Sequence, residues 1–288
     1  MRSDLKTVSV PVAGGDLAVE VAESESAPVL AIHGVTSNCR LWNWLRASAP
    51  ELSLVMPDLR GRAGSFAVRG RSSLRQHAED LVRVLDALGL GTVDVCGMSM
   101  GGFAAVELAT GWPDRVRGLV LVDGGLPMVA PAGLTPEMLP AAFAPQLGRL
   151  QRPFESVDEY LAYFTRNSPL LDPADPLLRD NLAHDLDAAG RVRLSPEAVL
   201  SDAEDVFFGE SGWLRLTVPV ELVCAEWSAG PDTPPAYPDE ALAGFRAQLP
   251  ALRQPRRIPG TDHAATIMTH DGARVVADAI RAVTSGRG

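Results

Sequence analysis

Lysine is almost missing from this chain: Lys6 is the only one among 26 basic residues, which face 36 acidic ones. The resulting net charge of −10 disfavours a polyanionic partner such as nucleic acid. Cysteine is scarce as well. Cys39, Cys96 and Cys224 are odd in number, and two of them fall in strand-like runs. They read as small buried hydrophobes in a reducing cytoplasm, not as a disulfide framework. No apolar run approaches the ~20 residues of a membrane helix. Met1-Arg2-Ser3-Asp4-Leu5-Lys6 has no apolar stretch behind its charges, so neither a membrane anchor nor a signal peptide is expected. Extreme polarity is absent too: 46% of residues are hydrophobic and 22% charged, which excludes a disordered chain. No His/Cys/Asp cluster shows metal-ligand spacing, and Gly89-Leu90-Gly91 lacks the rest of a dinucleotide-binding pattern. No metal and no organic cofactor is expected.

What the chain does have is alternation. "TVSVPV" and "LAVEVA" flank Ala13-Gly14-Gly15-Asp16, a hairpin signal. "PVLAIHG", "LSLVMPDLRG", "TVDVC" and "VRGLVLVD" are apolar strands of the kind buried in parallel sheets, with helical patterns between them. One such helix runs from about Leu74 to Leu88, with Leu74, Ala78, Leu81, Val82, Leu85 and Leu88 at helical spacing. From about Leu126 to Leu214 the strands stop. Pro-punctuated amphipathic segments take over, such as "FESVDEYLAYFTRN" and "PLLRDNLAHDLDAA", and eight of the sixteen aromatics lie there. The sheet pattern returns with "PVELVCAE", a helix near Pro238–Leu249, the strand-like "RQPRRIPG" and a helix from about Asp271 to Val283. The expected fold is α/β: a mostly parallel sheet with flanking helices, residues 1–125 and 215–288, and an aromatic-rich helical cap, 126–214, inserted after the sixth strand.

"TVDVCGMSMGGFAAVELA" carries the chemistry. A buried strand runs directly into Gly97-Met98-Ser99-Met100-Gly101 and then into a helix, the context a G-x-S-x-G motif requires. A strand that turns into a helix at one residue crowds the positions two away, so glycines stand there and Ser99 is lifted above the strand end. Serine needs a base. Of the five histidines, His77 and His184 lie in amphipathic helices beside carboxylates and read as solvated. His33 opens the turn "HGVTSN" and reads as its organiser, and His270 stands at a helix start. His263, in "RRIPGTDHAATI", follows the last strand on a Gly-containing loop, where the C-terminal ends of parallel strands gather ligand sites. It is the expected base. The backbone N–H groups of Met100 and Val35 are the expected oxyanion donors, each typically worth ~3 kcal/mol.

"HGVTSN", "MPDLRG", "CGMSMGG", "LVLVDGG" and "PGTDH", in this order, make the chain similar to the α/β-hydrolase superfamily with a helical cap, across essentially its whole length. The resemblance implies a Ser-His-acid triad. Most members place the acid after the seventh strand, but here that segment is Ala225-Glu226-Trp227-Ser228, with Ser228 where an Asp would stand. Glu226, Asp232 and Asp123 are the alternatives. Asp123, 24 residues after Ser99 at the end of the sixth strand, is favoured, and Glu226 is the alternative acid. A minority of the superfamily, haloalkane dehalogenases and zearalenone-type lactone hydrolases among them, places its acid there. Dehalogenases and epoxide hydrolases attack with a carboxylate, which Ser99 excludes. The expectation is therefore a serine hydrolase of a carboxylic ester or lactone, and most specifically a lactonase for a large hydrophobic, zearalenone-like ring. Trp213 or Trp227 could donate an indole N–H to a substrate oxygen, with core packing the alternative reading of either one. General carboxylesterase, carbon–carbon hydrolase, acyl-transfer and perhydrolase activities stay open, as does a slow-turnover ligand sensor of the same fold. The expected partner is a small hydrophobic ester or lactone, without nucleic acid or membrane; the sequence is compatible with a homo-oligomer.

Overall fold

The computed structural model describes residues 5–128, 133–166 and 168–285. The leader reading falls partly on residues 1–4, outside this set. The strands, in chain order, are β1 (Leu5–Val12), β2 (Gly15–Ala22), β3 (Val29–Ile32), β4 (Leu54–Pro57), β5 (Val93–Met98), β6 (Val116–Val122), β7 (Val220–Ala225) and β8 (Arg256–Ile258). They form one sheet in the order β1-β2-β4-β3-β5-β6-β7-β8. β1 and β2 are the expected hairpin, with Leu5 opposite Ala22 and Val12 opposite Gly15. β2 also runs antiparallel to β4, and all later neighbours are parallel.

The helices are α1 (Asn43–Ser48), α2 (Leu74–Ala87), α3 (Met100–Gly111), α4 (Leu139–Ala142), α5 (Ala144–Leu147), α6 (Val157–Thr165), α7 (Pro176–Asp185), α8 (Pro196–Phe208), α9 (Asp239–Gln248) and α10 (His270–Ser285). Helices α4 to α8 lie between β6 and β7, and no strand was formed there among the described residues. Local chemistry starts several of them. Ser73 caps α2 by accepting from Gln76 N–H at 3.0 Å, while Asp175-Pro176 and Ser195-Pro196 open α7 and α8 with an oxygen cap followed by a proline. No described helix is long and apolar enough to cross a membrane.

Strands β3, β4, β5 and β7 are buried along their whole length. Alternate side chains therefore feed two separate cores. Val29, Ala31, Cys96, Val120 and Val122 join α1 and α10 on one face. Leu30, Ile32, Val95, Leu119 and Leu121 join α2 and α3 on the other. The three cysteines are buried and unpaired by disulfide. This sandwich fixes the strand ends in space, and the parallel strands β3, β5, β6 and β8 all deliver their following loops to the same edge.

Candidate active site

Ser99 stands alone between the end of β5 and the start of α3, with φ 55° and ψ −126°. A non-glycine residue seldom adopts this conformation, and its cost must be carried by the surroundings. Ser99 N–H donates to Val122 O at 2.8 Å, and Ser99 O accepts from Gly102 N–H at 2.9 Å. A Cβ at Gly97 would stand 2.2 Å from Gly101 O, and one at Gly101 would stand 2.1 Å from Ile32 O. Both are backbone contacts that cannot give way, so the glycines are required by the tightness of the turn. Gly124 shares this packing, since a Cβ there would lie 2.2 Å from Ser99 O.

Asp123 follows β6 directly and also has a positive φ, 45°. Its side chain is 1% exposed. Oδ1 accepts from Ala225 N–H at 3.1 Å, and Oδ2 accepts from His263 Nδ1–H at 2.6 Å. Burial disfavours a charged His263 ring, but the hydrogen bond to Asp123, the charge of Asp123 and that of Asp262 outweigh it and hold the ring above the ordinary histidine value. With Nδ1–H on Asp123, Nε2 is the nitrogen left to accept a proton.

The other two carboxylates do something else. Glu226 Oε2 accepts from Gly260 N–H at 2.6 Å, and the N–H groups of Glu226 and Trp227 both donate to Thr261 O at 3.1 Å. These bonds brace the loop that carries His263 without reaching its ring. Asp232 lies exposed on a left-handed turn, φ 67°.

The loop after β3 closes on the serine. A Cβ at Gly34 would sit 3.2 Å from Ser99 Cβ, so glycine permits the approach. His33 is the expected organiser of this loop: Nδ1–H donates to Gly34 O at 2.8 Å, and Nε2 accepts from Leu59 N–H at 2.9 Å. Burial lowers its pKa to about 4, against the opposing charge of Asp58. The neutral ring is the form that serves both bonds.

Ser99, Met100, Val35 and His263 line one cavity of about 320 Å³, together with Ser228. Its walls are mostly apolar, including Leu41, Met98, Phe143, Phe164, Leu182 and Phe207. Phe143, Phe164 and Phe207 come from the 126–214 segment. A polar patch of Gln146, Arg149, Asn181 and Asp185 interrupts this lining. No motif or spacing marks those four residues in the sequence.

Trp213 and Trp227 do not line this cavity. Trp213 is 8% exposed and packs edge-on against Phe245 at 5.3 Å, in the core beneath α3. Trp227 sits beside the His263 loop through its backbone. Packing claims the first, and the second stands outside the cavity lining.

The solvated reading of His77 and His184 is also corrected. His77 is fully buried, with Nε2 2.9 Å from Asp202 Oδ2, and His184 Nε2 lies 2.8 Å from buried Asp58 Oδ2. Helices that look one-sided in sequence are covered here on their polar faces as well. One group of potential metal ligands, undetected by spacing, appears: Glu20, Cys39 and His184 have ligand atoms within 4.8 Å of one another. It is off the cavity lining, and it is already engaged, His184 with Asp58 and Glu20 Oε1 with Arg40 at 3.2 Å. His270, at the start of α10, is exposed, with Nδ1 3.5 Å from Ser48 Oγ and no part in the site.

An eight-stranded, mostly parallel sheet with helices on both faces and a serine raised at the turn after its central strand defines the α/β-hydrolase class of fold. The chain belongs to the alpha/beta hydrolase family, whose pattern matches residues 29–279. It is 40% identical to lipase LipV of Mycobacterium tuberculosis over 100 residues, which span 35% of this chain and 38% of that protein. It is 28% identical to the putative 2-succinyl-6-hydroxy-2,4-cyclohexadiene-1-carboxylate synthase of Bacillus subtilis over 235 residues, 77% of this chain and 81% of that one. The chain thus matches under two-fifths of the lipase's length but most of the synthase's. In three dimensions it resembles E-2-(acetamidomethylene)succinate hydrolase, with TM-score 0.78, 21% identity, 96% of this chain and 100% of the other covered. The N-acyl homoserine lactonase AidH is similar with TM-score 0.69 and 22% identity over 98% of each chain. At these identities the structural likeness concerns the fold.

Proposed function

We propose that this protein is a serine hydrolase of carboxylic esters or lactones, acting through Ser99, His263 and Asp123. The observation that carries the reading is the 2.6 Å bond from His263 Nδ1–H to buried Asp123, on a cavity that His263 shares with Ser99. His263 Nε2 takes the Ser99 proton as Oγ attacks the substrate carbonyl, and the N–H groups of Met100 and Val35 hold the oxyanion. The alkoxide leaves with the proton returned by His263. In a lactone, that alcohol stays tethered to the acyl chain. His263 then takes a proton from water, which attacks the acyl-enzyme and frees the acid and Ser99.

The apolar walls favour a hydrophobic substrate. The acid after β6 joined to a serine nucleophile is the feature shared with zearalenone-type lactonases, so a hydrophobic lactone is the specific substrate class we infer. At about 320 Å³ the cavity lies near the lower end of ligand pockets, so a macrocycle marks the upper limit of what it admits. The test is mass spectrometry of zearalenone and of a graded series of alkyl-substituted lactones with wild-type and Ser99→Ala protein. Repeated formation of products heavier by one water, absent in the variant, is expected. Turnover of alkyl esters alone would remove the lactone assignment and leave a general carboxylesterase. Consumption of one equivalent with Ser99 or His263 left modified would favour a sensor. The similarity over most of the chain to a putative synthase keeps reactions other than ester hydrolysis, carbon–carbon bond hydrolysis among them, as the second reading, which the absence of any ester or lactone turnover would bring forward.

A further inference from the structure

Three consecutive carbonyls of the loop after β3 are each gripped by a buried side-chain donor. His33 Nδ1–H holds Gly34 O at 2.8 Å. Arg62 donates to Val35 O from both Nε and Nη2, each at 3.0 Å. Arg149 Nη2 donates to Thr36 O at 2.5 Å. Both guanidiniums are answered by an aspartate from the helices between β6 and β7. Arg62 Nη2 lies 2.6 Å from Asp202 Oδ2 on α8, and Asp202 is itself held by Ser72 Oγ–H and the His77 ring at 2.9 Å each. Arg149 Nη1 lies 3.6 Å from Asp185 Oδ2 on α7. Tyr160 Oη bridges that pair, accepting from Arg149 at 2.8 Å and donating to Asp185 at 2.9 Å.

Burying two guanidinium–carboxylate pairs is a poor way to gain stability, because desolvation offsets most of the attraction. What these two do deliver is a fixed backbone. In a trans peptide the C=O and the N–H that follows it point in opposite directions. Holding Gly34 O therefore aims the Val35 N–H, and holding Val35 O and Thr36 O removes the rotation that would swing this peptide away. Among the described residues no protein acceptor takes the Val35 N–H, and Val35 lines the cavity beside Ser99. A guanidinium gives Val35 O two parallel donors, which an ammonium does not reproduce.

We propose that Arg62 and Arg149 are positioning residues that aim the Val35 N–H at the oxyanion, and that Asp202 and Asp185 tie this aim to the seating of α7 and α8. The proposal rests on the serine-hydrolase reading. It makes the helices between β6 and β7 part of the catalytic geometry as well as of the cavity wall.

The test uses the full chain, p-nitrophenyl butyrate as substrate, and a hexyl trifluoromethyl ketone as tetrahedral mimic beside the plain hexyl methyl ketone. Arg62→Lys keeps a charge opposite Asp202 but loses the two-donor grip. The double variant Arg62→Met/Asp202→Asn removes both charges together and leaves neither orphaned. In folded variants we expect kcat to fall about ten- to hundredfold, as for a weakened oxyanion donor, with KM changed less than about threefold. The trifluoromethyl ketone should weaken in proportion to kcat/KM, the methyl ketone should not, and the pH at half-maximal kcat/KM should stay put. Amide hydrogen exchange over residues 33–38 should rise about tenfold or more while α10 is unaffected. A purely structural role for Arg62 would move none of these selectively. Folded variants with wild-type kcat, ketone affinity and loop exchange overturn the clamp alone. Faster loop exchange beside a wild-type protein that neither turns over the ester nor prefers the trifluoromethyl ketone overturns the hydrolase reading, and the oxyanion role with it.

Discussion

His263 and Asp123, 140 residues apart in the chain, meet through an Nδ1–H···Oδ2 hydrogen bond of 2.6 Å. Asp123 reaches it from the end of β6, with a left-handed backbone and a nearly inaccessible carboxylate. Glu226, closer in sequence to the usual place for such an acid, spends its carboxylate on Gly260 N–H instead.

Asp123→Asn places an amide N–H₂ or a weaker acceptor against the imidazole and favours the wrong tautomer. We expect kcat to fall about 10⁴-fold with a cooperative melt retained, by analogy with loss of a triad carboxylate. Glu226→Gln, whose amide oxygen can still accept from Gly260 N–H, should stay within about threefold of wild type. Steady-state kinetics on one ester with both variants decides the matter, and the reverse order would reassign the acid.

The raised His263 pKa sets the pH profile. On the proposed mechanism His263 is the base and works only as a neutral ring, so kcat/KM should climb with pH through an ionisation above the ordinary 6.5. Its contribution to stability has the opposite slope: fully present below 6.5, and lost as pH rises through the folded value. Asp123→Asn takes away the two upward causes that come from Asp123, leaving only the charge of Asp262 against burial, and should shift the residual profile to lower pH. A wild-type limb centred below 6.5 would contradict the assignment.

His33 behaves in the other direction. Its folded pKa of about 4 means that the unfolded chain takes up a proton first as pH falls. Stability is whole above 6.5 and declines between there and about 4, by about 3 kcal/mol at 1.36 kcal/mol per pH unit. Carboxylates held low, such as Asp58, lose their share only below the usual carboxylate range. Urea melts at pH 7 and pH 5 should show the loss, and His33→Gln, less stable at pH 7, should flatten it.

Gly124→Ala would drive a Cβ to 2.2 Å from Ser99 O and 2.5 Å from Ser99 Cα, against backbone that cannot give way. We expect a destabilisation of about 3 kcal/mol or more, at the upper end of overpacking, with loss of Ser99 reactivity. Gly91→Ala meets nothing within 4 Å and should stay within about 0.5 kcal/mol. Thermal melts of the two variants side by side check the contrast.

Much of the fold is legible in the sequence because its signals are local. The helix expected from Leu74 to Leu88 is α2, Leu74–Ala87, and the Gly14–Gly15 hairpin pairs as written. The short helices α4 and α5, four residues each, carry too little periodicity to be seen, and α8 lies in a stretch whose pattern is weak.

By itself, then, the sequence determined the sheet, the strained turn under Ser99 and the His-Gly loop opposite it, because turn glycines and strand periodicity act within a few residues. Tertiary structure alone decided which of three carboxylates faces His263. It also turned His77 and His184 into partners of buried aspartates, put Trp213 in the core, and set Arg62 and Arg149 on the backbone of Val35 and Thr36. The reason is physical. A charged or aromatic side chain looks the same in sequence whether it meets water, a partner or a neighbour's ring, and what it meets here comes from segments 27 to 140 residues away.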